Sequence, residues 1–76
     1  MANLKHQMFV EIDYTNWRGE RRKRLISPMI LTWGESKYHE GNQWLLLAMD
    51  CEDRKSKEFA MKDIHSWTPQ SKEPTT

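Results

Sequence analysis

The chain has 76 residues, with 12 Lys and Arg against 11 Asp and Glu, a formal net charge of +1, and 30% charged residues. That is one domain with a small sealed core and no deep substrate cavity, because a chain this short buries only about 60% of its unfolded surface. The single cysteine, Cys51, excludes an internal disulfide and fits a reducing compartment, and no apolar run approaches the ~18 residues of a membrane span.

Met1, Ala2, Asn3, Leu4, Lys5 and His6 are followed by no apolar segment, so no secretion signal and a cytoplasmic location are expected. Residues 8–14 alternate, with Met8, Val10, Ile12 and Tyr14 on one side and Glu11 and Asp13 on the other; Phe9 is the apolar exception. Period-two alternation predicts a half-buried strand. Thr15, Asn16, Trp17, Arg18, Gly19 and Glu20 read as a turn, because Asn and Gly tolerate positive φ. Residues 21–28 predict a second strand that closes a hairpin with the first. Arg22, Arg24, Ile26 and Pro28 share one side, and Arg21, Lys23 and Leu25 share the other. Pro28 cannot donate to a ladder, so the strand ends or bends there.

Residues 29–33 predict a short third strand, and residues 34–41 a polar connection with Tyr38 as its aromatic. Residues 43–50 predict the fourth strand, apolar on both faces as a central strand requires. After a charged turn at 51–56, residues 57–61 predict the fifth strand, with Phe59 and Met61 on one side. Asp63 then caps a helical turn in which Ile64 and Trp67, three apart, plug one barrel end. Trp33 and Trp44 are expected in the core. The predicted fold is all-β, a small five-stranded SH3-like or Sm-like barrel with a short helical turn near the C-terminus. It spans residues 8–68, with residues 1–7 and 69–76 as flexible termini. An OB-like barrel is the alternative, but residues 34–41 are too short and polar to supply its helix.

Residues 18–24 hold five cations against one anion, a local net of +4 in a chain that is +1 overall. Such a patch attracts phosphates or an acidic partner face. It also blunts a strand edge against aggregation. Binding nucleotides or single-stranded nucleic acid needs cations for phosphates and flat rings for bases. Arg22 and Arg24 lie ~7 Å apart on one strand face, near the spacing of successive phosphates. Tyr14 ends the partner strand and Trp17 sits in the turn beside them. Arg24 also shares a side with Ile26, which leaves two directions open: outward to a ligand, or inward to an acid such as Asp13 or Asp50. His6, His39 and His65 are scattered, Cys51 has no partner at zinc-ligand spacing, and Glu11 and Asp13 read as solvated. No metal, no cofactor and no enzymatic activity are expected.

Trp44-Leu45-Leu46 followed by Leu47-Ala48-Met49-Asp50 resembles the signature strand of WYL domains, named for Trp-Tyr-Leu. Ile12-Asp13-Tyr14, then Gly19, then Arg24-Leu25-Ile26-Ser27-Pro28 resembles that family's opening hairpin, an Ile-x-Tyr, a Gly turn and an Arg-x-hydrophobic-x-Pro. Lys57-Glu58-Phe59 followed by Ile64 resembles its closing segment, an Arg-x-Phe and then Ile. The likeness covers residues 9–67. Leu45 stands where the family name has Tyr, and Lys57 where Arg is usual; Lys57 meets phosphate as a point charge without a bidentate fork. The resemblance implies a barrel that senses nucleotides or single-stranded nucleic acid, usually behind a DNA-binding helix-turn-helix in bacterial transcription regulators and defence-related proteins. This chain leaves no room for a DNA-reading domain, so an isolated regulatory module of a phage, prophage or other mobile element is expected.

The candidate nucleotide- or nucleic-acid-binding residues are Tyr14, Trp17, Arg18, Arg21, Arg22, Lys23, Arg24 and Lys57, the last by resemblance. The competing expectation is a small protein-interaction module or an inhibitor that binds a host protein, since Trp, Tyr, Arg and Met concentrate at interface cores. Exposed strand edges would also allow a homodimer.

Overall fold

A computed structural model describes residues 8–70. Strand β1 (Phe9–Thr15) keeps the alternation of its sequence, burying Val10, Ile12 and Tyr14. Strand β2 (Arg21–Ser36) is a single strand of 16 residues and absorbs both the predicted second and third strands. Pro28 bends it rather than ending it. Pro28 pairs with Ala48 and Ile30 with Leu47, so Met29 is the extra residue of a bulge. A bulge accommodates the missing Pro N–H without ending the ladder. Strand β3 (His39–Asp50) returns antiparallel, so the predicted polar connection is mostly ladder around a turn at Lys37 and Tyr38. Strand β4 (Lys55–Ala60) follows, then a 3₁₀ turn (Met61–Asp63), then strand β5 (Ile64–Gln70).

The last two elements correct the sequence expectation. The helical turn comes earlier than predicted, and Asp63 ends it instead of capping it. Trp67 lies in β5 opposite Ile12 and is 39% exposed, so it belongs to an edge strand and not to a helical turn, while Ile64 packs against the core. Pro69 and Gln70, expected in the tail, pair with Val10 and Phe9. The expected flexible segments 1–7 and 71–76 lie outside the described residues.

All five strands are antiparallel in one sheet of order β4-β3-β2-β1-β5. The two edge strands are consecutive in the chain and joined by only three residues. The sheet must therefore curl to bring its edges together at that end. Tyr14 of β1 and Phe59 of β4 meet edge to face with ring centroids 5.0 Å apart, although two strands separate them in the ladder. The Ala60 N–H donates to Tyr14 Oη at 3.0 Å. Among the described residues no ladder joins β4 to β5.

The core inside this curl is Val10, Ile12, Tyr14, Ile26, Leu46, Ala48 and Phe59, with Met61 and Ile64 packed against it. It is too small to hold the tryptophans assigned to it. Trp33 and Trp44 are cross-strand partners on the far part of the β2–β3 ladder, 5.3 Å apart and edge to face, and both are more than half exposed. Among the described residues no helix is long and apolar enough to cross a membrane.

Turn chemistry sets the β1–β2 register. The Asn16 side-chain oxygen accepts from the backbone N–H of both Arg18 and Glu20. Gly19 takes φ +84°, where a side chain would be strained.

Tyr14→Phe removes the acceptor of the Ala60 N–H but keeps the ring. The orphaned donor is expected to cost about 1–2 kcal/mol, read as a lower denaturant midpoint at unchanged slope.

Candidate functional site

The site is built around a buried carboxylate. Asp50 ends β3 opposite Ile26 and is fully buried. Its Oδ2 accepts from Arg24 Nη1 and from Lys57 Nζ, each at 3.1 Å, and its Oδ1 accepts from the Glu52 N–H at 2.9 Å. Arg24 thus takes the inward direction, because the face that carries Ile26 into the core carries Arg24 in behind it. Its guanidinium stands 5.9 Å above the Phe59 ring. Burial works to raise the Asp50 pKa, but the Glu52 N–H and Lys57 outweigh it and hold the carboxyl below its usual range. Lys57 also meets Asp53 at 2.6 Å. Its pKa is raised, by the bond to Asp53 against burial and then by Asp50. Beside this cluster the half-buried Cys51 thiol is pushed up by burial and by the Asp50 charge.

The expected open stripe of cations is largely engaged by acids. Arg21 forks onto Asp13 through Nε and Nη2, at 2.9 and 3.1 Å. Arg22 Nη2 meets Glu52 at 3.0 Å. Arg22 and Arg24 do share a face, but each is held by its own carboxylate. Arg18 lies over the Trp17 ring, 5.1 Å from its centroid. Lys23 stands on the outward face opposite Asp13. The +4 of residues 18–24 is therefore a local property of the sequence, and folding compensates most of it.

A cleft of about 640 Å³ lies between the β1–β2 turn, the tip of the β2–β3 hairpin and β4. Four of the eight candidate residues line it: Tyr14, Trp17, Arg24 and Lys57; Arg18, Arg21, Arg22 and Lys23 do not. Trp17 stacks on Tyr38, with centroids 5.5 Å apart and planes 18° from parallel, and both rings are more than half exposed. Tyr14 offers no open ring face. It is 4% exposed and its hydroxyl is occupied by Ala60, so it forms wall and not platform.

Tyr38 is a cleft-lining aromatic that the sequence did not single out as a ligand contact. The available signal was its isolation as the aromatic of a polar connection. The hairpin tip that carries it is held by Ser36, whose Oγ accepts the Tyr38 N–H at 3.0 Å and bonds His39 Nδ1 at 3.1 Å. Arg24 Nε and His39 Nε2, both on cleft-lining residues, are buried without a hydrogen-bond partner; His39 Nε2 lies 3.8 Å from Asp63.

No protein-family model, curated protein or solved structure matches the chain.

Asp50→Asn leaves Arg24 and Lys57 without their buried counter-charge and is expected to cost about 3 kcal/mol or more. The sign with pH follows from the depressed carboxyl. Its contribution is full above the ordinary aspartate value of about 3.9 and is lost as pH falls through the lower folded value. The stability gap between wild type and Asp50→Asn, measured by denaturant unfolding, should therefore be widest near neutral pH and close in acid.

Proposed function

We propose that the chain is a stand-alone, non-enzymatic WYL-like regulatory module that takes nucleotides or single-stranded nucleic acid in the cleft. The observation that carries this reading is the convergence on one hollow of two cations, Arg24 and Lys57, and a stacked aromatic pair, Trp17 and Tyr38. An SH3-like barrel is the fold in this proposal. It is supported by the strand order, with both edges joined through a 3₁₀ turn, and by the curl that sets Phe59 on Tyr14.

The division of labour follows from exposure. Lys57 has a third of its side chain in water, so a phosphate reaches it by displacing Asp53 from an exposed pair that water already screens. Arg24 is only 13% exposed and stays on Asp50, lending field rather than a direct fork. Asp50 keeps both cations close together. A base stacks on the exposed Trp17–Tyr38 pair, which tolerates any sequence because every base has a π face. The acid-paired Arg21 and Arg22 contribute steering at most.

A second reading, an interaction module that binds a host protein, is favoured by the exposed Trp33–Trp44 pair, which lies outside the cleft lining.

Fluorescence titration with short single-stranded DNA and RNA and with nucleoside monophosphates, at low and high salt, tests the first reading. A saturable signal at low salt that fades at high salt is expected. Trp17→Ala should weaken binding about tenfold, the scale of one lost stack. Lys57→Ala should reduce the salt slope by about one, and Arg21→Ala should change little. Absence of binding at low salt would overturn the reading.

A further inference from the structure

A second hollow, of about 450 Å³, adjoins the cleft, and Asn16, Trp17, Tyr38 and His39 stand in the walls of both. Gln43 and Asp63 line only the second. Two polar atoms of this lining are buried without a hydrogen-bond partner, His39 Nε2 and Gln43 Oε1. The His39 side chain is 10% exposed, and its Nε2 stands 3.8 Å from Asp63 Oδ2, beyond hydrogen-bond reach. Gln43 spends its Nε2 on the Glu40 carbonyl at 3.3 Å, which leaves its oxygen as the open atom. Asn16 has nothing to offer either of them. Its oxygen accepts from the Arg18 and Glu20 N–H groups and its Nδ2 donates to Glu20. A buried polar atom left open in a native fold calls for a partner from outside the chain.

The open atoms define what that partner is. The Asp63 carboxylate favours the His39 ring proton on Nε2, facing it, and the Ser36 hydroxyl then donates to Nδ1. The hollow therefore presents an N–H donor on one side and two oxygen acceptors, from Asp63 and Gln43, on the other. A carbonyl satisfies the donor alone, and an ammonium satisfies the acceptors alone. A phosphate meets Asp63 and Glu40 against the single cation Lys62. A neutral hydroxyl accepts and donates through one atom. An oxygen at the usual length of about 2.8 Å from each neighbour spans the 3.8 Å between His39 and Asp63.

We propose that this hollow takes the 2′-hydroxyl of a ribose, so that the protein discriminates RNA and ribonucleotides from their deoxy counterparts. The inference rests on the nucleotide reading of the cleft. In that reading the base lies on the Trp17–Tyr38 pair, which borders both hollows, and the phosphate lies on Lys57, which lines the cleft alone. The sugar joins base to phosphate and falls at the shared wall, where His39 stands. Stacking on the rings is blind to the sugar, whereas the 2′-hydroxyl is the group by which a protein tells RNA from DNA.

Fluorescence titration of the full chain at low salt tests it, with an oligoadenylate against the 2′-deoxy strand of the same length, and with AMP against 2′-deoxy-AMP. The ribo form is expected to bind at least about tenfold tighter, the scale of hydrogen bonds to a charged group. Asp63→Ala should close that gap by lowering the affinity for the ribo form, with far-UV circular dichroism as in the wild type. If Asp63→Ala does not fold, His39→Ala decides by the same comparison. Equal affinity of the wild type for both sugars, or a folded variant that weakens both and keeps the gap, would overturn this inference and leave the ligand reading standing. Binding of neither sugar would overturn both.

Discussion

Asp50 keeps a negative charge on a fully buried side chain, and the sheet around it is arranged to make that tolerable. Arg24 comes to it from β2, Lys57 from β4, and the Glu52 N–H from the turn between β3 and β4. A buried carboxylate with one partner missing is costly, so these three segments are held to one relative placement. The same cluster fixes register. Shifting β2 by one residue against β3 would turn Arg24 outward with every other side chain of its face and take from Asp50 the partner that β2 supplies. In a chain with no disulfide, this polar clamp complements a core of few apolar side chains.

Alternation between residues 8 and 14 told which side chains of β1 are buried, because a strand with one wet face leaves that pattern in its own sequence. The β2 cations were legible as a charge cluster but not as ion pairs. Their acids lie 8, 26 and 30 residues away, and only the folded ladder brings them near. Pro28 left two outcomes, an end or a bend, and the bulge at Met29 selected the bend. Around Asp63 a local capping preference lost to long-range pairing, since β5 exists by virtue of the free side of β1. Trp33 and Trp44 were read as core because large apolar residues usually are. The curled sheet has no interior volume for them that far out along β2–β3.

The cleft divides along the same line. Trp17, Arg24 and Lys57 could be named from ring chemistry, charge and a family likeness. Tyr38 could not, because its role depends on the hairpin tip folding back until its ring lies flat on Trp17. That stack joins two turns from different hairpins, so the width of the cleft mouth is set by contact between rings and not by backbone ladder bonds. Breaking one ring contact would let the two turns separate without disturbing any strand.

The thiol of Cys51 shares the neighbourhood of the buried carboxylate, and it inherits a chemical disposition from that address. Nucleophilic attack and peroxide capture both require the sulfur anion, which burial and an adjacent negative charge disfavour. Both effects lower the thiolate fraction of Cys51, and with it the reactivity of the sulfur toward alkylating reagents and peroxide.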